Sequence, residues 1–463
     1  MVPCLSVEQV VGIRRRQEVL VQQDGLTVFT DYAHHPHELR VLLNWCRARF
    51  AGEVIVVFEP HRYSRTRQFA RAFADVLRAA DRVWLLPVYA AAEACDLAGQ
   101  SEKILEHGDP AWLSGDPLAC LRYLFVGLRG RTQPTSIAFV GAGYVDHLAR
   151  QFQGYWQELA AVMPCLSAAC KLLVAEPLAQ RTTLRVGGSA RYYAEPADRA
   201  DLIALLAWAR GLQLPVFFLG RGSNLIVLDG EYPGLVVRLS QPGWRTIDAL
   251  SRQRLKVGAG VRLKEVCGQA VQLGWSGFEF LEGIPGSLGG ALRMNAGAMG
   301  AWIYDVVESI EYCTLDGESI IQRTEDLHVG YRCCEELKQG VAVSAVLKSP
   351  ACDDGALIRS RLETYSSNRR ESQPREPSAG CTFKNPADGY AGQWIDECGL
   401  KGLRVGAAEV STQHGNFIVN HGGATAEEVI ELMRRVRQEV FAQKGVWLEP
   451  EVQVLGSAWE ALL

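Results

Sequence analysis

Two glycine-rich stretches hold the residues whose type and spacing point most directly to chemistry. Gly283-Ile-Pro-Gly-Ser-Leu-Gly-Gly-Ala-Leu-Arg-Met-Asn-Ala-Gly297 places glycines at 283, 286, 289, 290 and 297. A segment so poor in side chains permits positive φ and close approach, and successive inward N–H groups form an anion-binding concavity. The chemistry implied is the holding of a phosphate. In Leu219-Gly-Arg-Gly-Ser-Asn-Leu225, Gly220 and Gly222 free the backbone while Ser223 and Asn224 add short side-chain donors, a second diphosphate contact. The longer stretch is neither the dinucleotide fingerprint nor a phosphate loop, because no strand leads into Gly-x-Gly-x-x-Gly and no Gly-Lys-Ser/Thr follows. A glycine cluster alone is more often a turn than a cradle, so the weight lies on the two stretches together.

With Thr183-Leu-Arg-Val-Gly-Gly188 upstream, the series resembles the UDP-N-acetylenolpyruvoylglucosamine reductases (MurB), flavoproteins of the vanillyl-alcohol-oxidase type, over roughly residues 170 to 456. The resemblance implies FAD as cofactor, NADPH as reductant, a UDP-sugar substrate and a place in peptidoglycan synthesis. It puts the FAD contacts at Gly220, Arg221, Gly222, Ser223, Asn224, Gly283, Ile284, Pro285, Gly286, Gly289, Gly290, Asn295 and Gly297. Reducing an enolpyruvyl ether needs a hydride donor at one carbon, a proton donor at its neighbour, and positive or hydrogen-bonding groups around the carboxylate. No side chain supplies a hydride, which leaves that step to the flavin.

For the other two requirements the resemblance names residues. Gly330-Tyr-Arg-Cys333 carries Arg332, which fixes the substrate carboxylate, with Tyr331 beside it in the substrate site. Cys381 stands where most of the family has the serine that protonates the carbanion, in Ala-Gly-Cys-Thr-Phe-Lys-Asn-Pro386. An unperturbed thiol, with a pKa of about 8.5, is mostly protonated at neutral pH yet gives up its proton far more readily than an alcohol. Lys384 and Asn385 hold the nucleotide diphosphate or sugar. Glu451, in Leu-Glu-Pro-Glu-Val452, stabilises the enolic intermediate together with Arg332, and Glu449 is the neighbour open to confusion with it. Without these motifs a surface arginine, an inert buried cysteine and an exposed strand carboxylate are the commoner readings. Cys334 also replaces a family serine. The 49 residues from Arg332 to Cys381 resemble the shorter subgroup, which lacks an inserted substrate lid.

The first third of the chain carries other polar clusters. Thr30-Asp-Tyr-Ala-His-His-Pro36 and Glu59-Pro-His-Arg-Tyr-Ser-Arg-Thr66 each follow an apolar strand-like run, and open α/β sheets bind ligands at the carboxyl ends of their strands. These motifs, with Val88-Tyr-Ala-Ala-Ala-Glu93 and Gly141-Ala-Gly143, resemble the C-terminal domain of the UDP-N-acetylmuramate–L-alanine ligases (MurC). That resemblance gives His34, His35, Arg62 and Arg65 a carboxylate or acyl-phosphate to bind. In that family the ATP site lies in a preceding central domain, and no Gly-x-x-Gly-Lys-Thr loop occurs in the 463 residues. The segment is therefore read as a retained or truncated piece without ligase activity. The alternative is a bifunctional reductase and ligase associated with a chain carrying the missing domains. A further departure is Tyr144, where the ligases carry aspartate.

The elements that must position these residues follow from pattern. Residues 8 to 150 alternate strands (Leu26–Phe29, Val54–Phe58, Arg82–Leu86, Ser136–Val140) with helices (Glu38–Phe50, Arg67–Ala79, and one from Tyr144), which predicts a doubly wound parallel sheet. The fold class expected is an α/β ligase-type domain over 1–160, an α+β FAD-binding domain over 170–355 and a smaller α+β substrate domain over 356–463. Helices are predicted over 200–212, 358–369 and 426–444, the last with Thr425 and Glu428 as a capping box and Gly445 as a stop. A strand is predicted over Val446–Val454, which places Glu449 and Glu451 on one face.

Composition narrows the partners. The 52 acidic and 48 basic residues give a net charge of −4, which excludes a basic nucleic-acid surface and leaves an anionic substrate to local arginines. No apolar run approaches the ~20 residues of a membrane span, and the N-terminus lacks a signal-peptide pattern, so a cytoplasmic location is expected. The 13 cysteines are odd in number and include no Cys-x-x-Cys pair, which favours free thiols over bridges or a zinc site. No metal is expected.

Overall fold

The computed structural model describes residues 14–250 and 253–463. The chain divides into two compact units, Met1–Met163 and Pro164–Leu463.

The first unit is a six-stranded sheet. In chain order its elements are β1 (Glu18–Gln23), β2 (Leu26–Asp31), α1 (Pro36–Arg49), β3 (Glu53–Glu59), α2 (Tyr63–Leu77), β4 (Arg82–Leu85), α3 (Glu102–Leu105), β5 (Leu113–Ser114), α4 (Pro117–Arg129), β6 (Thr135–Gly141) and α5 (Val145–Ala160). The sheet order is β1-β2-β6-β3-β4-β5, with every pair parallel except β1 with β2. Val54 to Phe58 are all buried, as expected of a central parallel strand covered on both faces. Two of the helices begin where short-range chemistry satisfies free N–H groups: His35 and Glu38 form a capping box ahead of α1, and Asp116 caps α4. Two features depart from the predicted pattern. Strand β1 adds an antiparallel edge through a two-residue turn, Asp24 and Gly25, both at positive φ, a hairpin signal that the parallel reading passed over. Helix α4 occupies a stretch to which the sequence pattern assigned no element.

The second unit holds three larger sheets of four or five strands. The first runs β7-β8-β10-β9, with β7 Lys171–Pro177, β8 Ser189–Glu195, β9 Val216–Phe218 and β10 Glu231–Val237, and with helix α6 (Arg199–Gly211) between β8 and β9 in the chain. The second is antiparallel and five-stranded. It pairs Ile247–Ala249, Arg254–Gly258, Gly340–Lys348, Val307–Thr314 and Ser319–Arg323 in that order. Its core takes in α7 (Leu263–Leu273) and the short α8 (Leu288–Arg293) through Leu263, Val266, Leu288 and Leu292. The third sheet, of Ser378–Cys381, Phe417–Asn420, Ala408–Val410 and Arg404–Val405 in that order, starts between α9 (Gly355–Ser372) and α10 (Ala391–Glu397) and packs against α11 (Ala426–Lys444), whose Val429, Leu432, Met433, Val436 and Val440 are buried. Thr425 and Glu428 form the predicted capping box, and Gly445 closes α11 at φ 72°. The last strand is shorter than predicted. Only Gln453–Leu455 is paired, in parallel with Leu225–Val227, and Pro450 interrupts the ladder while bridging to Phe383.

Candidate active site

The glycines act differently from the sequence expectation. None of Gly283, Gly286, Gly289, Gly290 and Gly297 has positive φ, and Leu288–Arg293 is a helix rather than open loop. Much of its backbone is already engaged, since the amides of Leu288 and Gly289 donate to Val261 and Ala259. What these glycines provide is proximity. A Cβ on Gly289 would sit 3.1 Å from that of Ala259, and one on Gly297 would sit 2.4 Å from the Trp302 ring. The expected cradle is instead the shorter turn: Gly222 has φ 62°, and among the described residues the amides of Gly220 to Ser223 find no protein acceptor. Thr183 secures that turn by donating its hydroxyl to the Ser378 carbonyl, 2.7 Å away, and its amide to that of Gly222.

This turn and the start of α8 form one cleft, lined by Gly220, Arg221, Ser287, Gly289 and Gly290 with Phe218, Leu239 and Val341. Arg238, Arg262 and Arg293 also reach it. Burial pushes the Arg293 guanidinium below its ordinary value, and burial followed by Arg262 and Arg238 does the same to Arg221. Cations crowded beside open amides and an apolar wall fit a diphosphate joined to an aromatic ring system, as in FAD. A second cleft shares Arg221 and Arg262 and is bordered by Ile284, Pro285 and Gly286. Gly222, Ser223, Asn224, Gly283, Asn295 and Gly297 line neither cleft. Asn224 instead donates from its side-chain amide to the Glu451 backbone carbonyl at 3.3 Å. Asn295 donates to the Gly330 carbonyl and leaves its own side-chain oxygen buried without a protein partner.

Three residues far apart in the chain meet. Arg332 donates from Nε to Glu451 Oε1 at 2.7 Å, and the Tyr331 hydroxyl donates to Oε2 at 3.2 Å. The pair is largely enclosed, with 23 and 11% of the Arg332 and Glu451 side chains exposed. Cys381 lies where both are felt. Burial first, then the Glu451 carboxylate, raises its thiol to about 12, and Arg332 opposes this. The ordinary thiol acidity assumed from sequence is thus corrected: Cys381 is held protonated across the neutral range. Its loop is fixed by Gly380, at φ 78°, and by Glu451 donating its amide to the Thr382 carbonyl at 2.9 Å. Arg332 itself has φ 54°, a strained backbone for a non-glycine residue.

The two glutamates differ in their partners. Glu449 is exposed and takes Lys384 Nζ at 3.0 Å, whereas Glu451 faces Arg332. Asn385 has its side-chain oxygen occupied by the Ala391 amide at the start of α10. Cys334 is buried and donates to Glu336. One participant went unnoticed in the sequence. Trp302 lies beneath the Arg332 guanidinium (5.4 Å) and edge-on to Tyr331 (5.8 Å), itself seated on Gly297. Its adjacency to a glycine motif was the only available signal.

In the first unit the polar clusters partly converge. His34 and His61 rings lie 5.6 Å apart, His61 stacks on Tyr89, and His61 Nδ1 and one Arg65 nitrogen are buried without protein partners. Burial, then Arg65, lowers the His61 pKa. His35 is excluded from this group, because it caps α1 and packs edge-on to Phe69. Arg62 begins α2 at φ 69°. Buried Glu59 accepts the amides of Gly143, Tyr144 and Val145, and burial raises its pKa.

A glycine-built diphosphate cleft beside an arginine–glutamate–thiol cluster defines a flavin-dependent oxidoreductase, and residues 190–321 match the FAD binding domain model. Residues 373–455 match the C-terminal domain of UDP-N-acetylenolpyruvoylglucosamine reductase, and 15–119 the Mur ligase glutamate ligase domain. The chain is 42% identical to the UDP-N-acetylenolpyruvoylglucosamine reductase of Methylococcus capsulatus, over 61% of this chain and 92% of that one. It is 40% identical to the reductase of Moorella thermoacetica, over 65 and 99%. The crystal structure of the reductase from Thermus caldophilus superposes with a TM-score of 0.54 at 38% identity, over 62% of this chain and 98% of that one. The chain belongs to the UDP-N-acetylenolpyruvoylglucosamine reductase family. Among the described residues no helix is long and apolar enough to cross a membrane.

Proposed function

We propose that the second unit reduces UDP-N-acetylglucosamine enolpyruvate to UDP-N-acetylmuramate at the expense of NADPH, a step of peptidoglycan synthesis. Bound FAD supplies the hydride. The observation that carries this reading is the convergence of Arg332, Glu451 and Cys381, two charges and one protonated thiol around one point. Arg332 uses Nε on Glu451, which leaves its two terminal nitrogens to grip the enolpyruvyl carboxylate. Glu451 and Trp302 fix that guanidinium, and charge moving onto the carboxylate in the transition state strengthens its grip. The Cys381 Sγ–H delivers the proton to the carbon next to the one that receives hydride, and solvent reprotonates the thiolate. Lys384 meets the nucleotide diphosphate by exchanging its exposed Glu449 partner for phosphate. The division of the second unit at 355/356 into cofactor and substrate parts belongs to the same reading.

The test is spectroscopic. Purified protein should be yellow, NADPH should bleach the visible band, and the enolpyruvyl substrate should restore it. A colourless protein, or a band that the substrate fails to restore, defeats the reading. The flavin should be released by acid or heat, because His328, the sole histidine between 200 and 400, is occupied by Glu336 at 2.8 Å and leaves no candidate for histidyl attachment.

A further inference from the structure

The segment that carries Cys381 and Lys384 is held from both sides, by different means. On one side it pairs with residues 449–451: the Lys384 amide donates to the Glu449 carbonyl at 2.8 Å and the Glu451 amide to the Thr382 carbonyl at 2.9 Å, with Phe383 opposite Pro450. In such a pairing the amide and carbonyl of Phe383 point away from Pro450. On that far side the ladder stops short. Cys381 pairs with Phe417 and the Thr382 amide donates to the Asn416 carbonyl at 2.8 Å, but among the described residues no backbone group bonds to Phe383.

The Asn416 side chain takes the missing place. Its Oδ1 accepts the Phe383 amide at 2.9 Å and its Nδ2 donates to the Phe383 carbonyl at 2.7 Å. One side chain thus presents the donor and the acceptor that a neighbouring strand would offer from its backbone. Asn416 is 2% and Phe383 1% exposed, so water cannot replace either bond. Asn416 is itself fixed, since its amide donates to His414 Nδ1 at 3.2 Å and a Cβ on the preceding Gly415 would sit 2.5 Å from the Gly392 carbonyl of α10. The reacting groups lie on the two halves of the pairing, Cys381 two residues before Phe383 and Glu451 one residue after Pro450. A backbone shift at Phe383 therefore alters their separation, and a misplacement of about 1 Å costs on the order of 10²-fold in rate. We propose that Asn416 is a positioning residue for the substrate half-reaction, a side-chain clamp that acts through Phe383 to keep Cys381 and Glu451 at their working separation. The proposal rests on the reductase reading.

The test uses the flavin-loaded full chain and two variants. Asn416→Ala deletes the clamp. Asn416→Asp keeps the shape: protonated, it still offers one donor and one acceptor, whereas ionised it sets a carboxylate against the Phe383 carbonyl. Reoxidation of the NADPH-reduced protein by the enolpyruvyl substrate should slow about 10- to 100-fold in Asn416→Ala at every pH, with NADPH bleaching unchanged. Relative to the parent at the same pH, Asn416→Asp should be close to normal in acid and fall to the alanine level as the new carboxyl ionises. Cys381 supplies a second readout, because a thiol released from its enclosure regains ordinary reactivity: alkylation by iodoacetamide, mapped by peptide mass spectrometry, should be roughly tenfold faster in Asn416→Ala. A residue that merely filled space would lower the melting temperature, leave Cys381 shielded below it, and give Asn416→Asp a pH profile parallel to the parent. That pattern, or an alanine variant as fast as the parent, overturns the proposal. Should Asn416→Ala fail to fold, the pH profile of Asn416→Asp decides alone. A parent that completes both half-reactions beside variants equal to it defeats only the clamp, whereas a parent that substrate fails to reoxidise defeats the reductase reading itself.

Discussion

Cys381 shows how far a side chain's chemistry depends on its neighbours. A thiol read from sequence as an ordinary acid is shielded from water and set beside Glu451, and it therefore keeps its proton to about pH 12. Folding so raises the thiol that it adds stability below about pH 8.5, where the unfolded chain's thiol is also protonated, and this contribution is lost as pH rises toward 12. Under the proposed mechanism it means a loaded proton donor at every working pH. The rate at which substrate restores the flavin band should show no alkaline fall attributable to Cys381 between pH 8 and 10; a fall centred near 8.5 would contradict this. Cys381→Ala should slow that restoration about 10²- to 10⁴-fold while NADPH bleaching stays near normal. Cys381→Ser should retain substantial activity, and an alanine variant as fast as the parent removes Cys381 from the mechanism. Trp302 acts one step further back. Trp302→Leu should weaken substrate binding roughly 2- to 30-fold through the lost cation–π contact, and Trp302→Phe should recover part of it. An unchanged KM in the leucine variant would leave Trp302 as packing alone.

At the scale of elements, the sequence was most legible where one local rule governs. Helix α11 matches its predicted span because capping box, apolar spacing and terminal glycine agree. The glycine stretch was less legible, since glycine serves positive φ and close contact equally and sequence cannot tell which. The difference lies in which neighbour the fold brings up: Ala259, distant in the chain, comes against Gly289, and the ring of Trp302 folds back onto Gly297. Arg332, Cys381 and Glu451 could be named from their motifs, but their meeting depends on the pairing of Gln453–Leu455 with Leu225–Val227 and on the Phe383–Pro450 bridge. These contacts join segments more than 60 residues apart, beyond any local pattern. Gly297→Ala tests the element directly. A methyl 2.4 Å from the Trp302 ring must displace it, costing about 1–3 kcal/mol of stability by overpacking and disturbing Arg332 through its support. The variant should melt earlier and show the substrate defect of Trp302→Leu; a parental melting temperature would mean the loop yields freely.

At the scale of the whole chain, two compact units carry unequal chemical equipment. The second has an arginine-lined cleft at a glycine turn and a buried thiol beside the Arg332–Glu451 pair; the first has a cluster of His34, His61 and Arg65 at strand ends and no loop for the phosphates of ATP anywhere in the sequence. Buried nitrogens on His61 and Arg65 without protein partners are what a carboxylate or phosphate would satisfy. Such a cluster is insufficient for ligation, because forming an acyl phosphate requires the terminal phosphate of ATP to be held in line with the attacking carboxylate, and positioning supplies most of that catalysis. The chain incubated with UDP-N-acetylmuramate, L-alanine and ATP should therefore release no inorganic phosphate above background and form no amide product. Product formed by this chain alone would show that the first unit completes an ATP site from residues outside the usual loop, and would make the protein bifunctional. Activity appearing only when a second chain bearing a phosphate loop is added would instead identify the first unit as the complementing half.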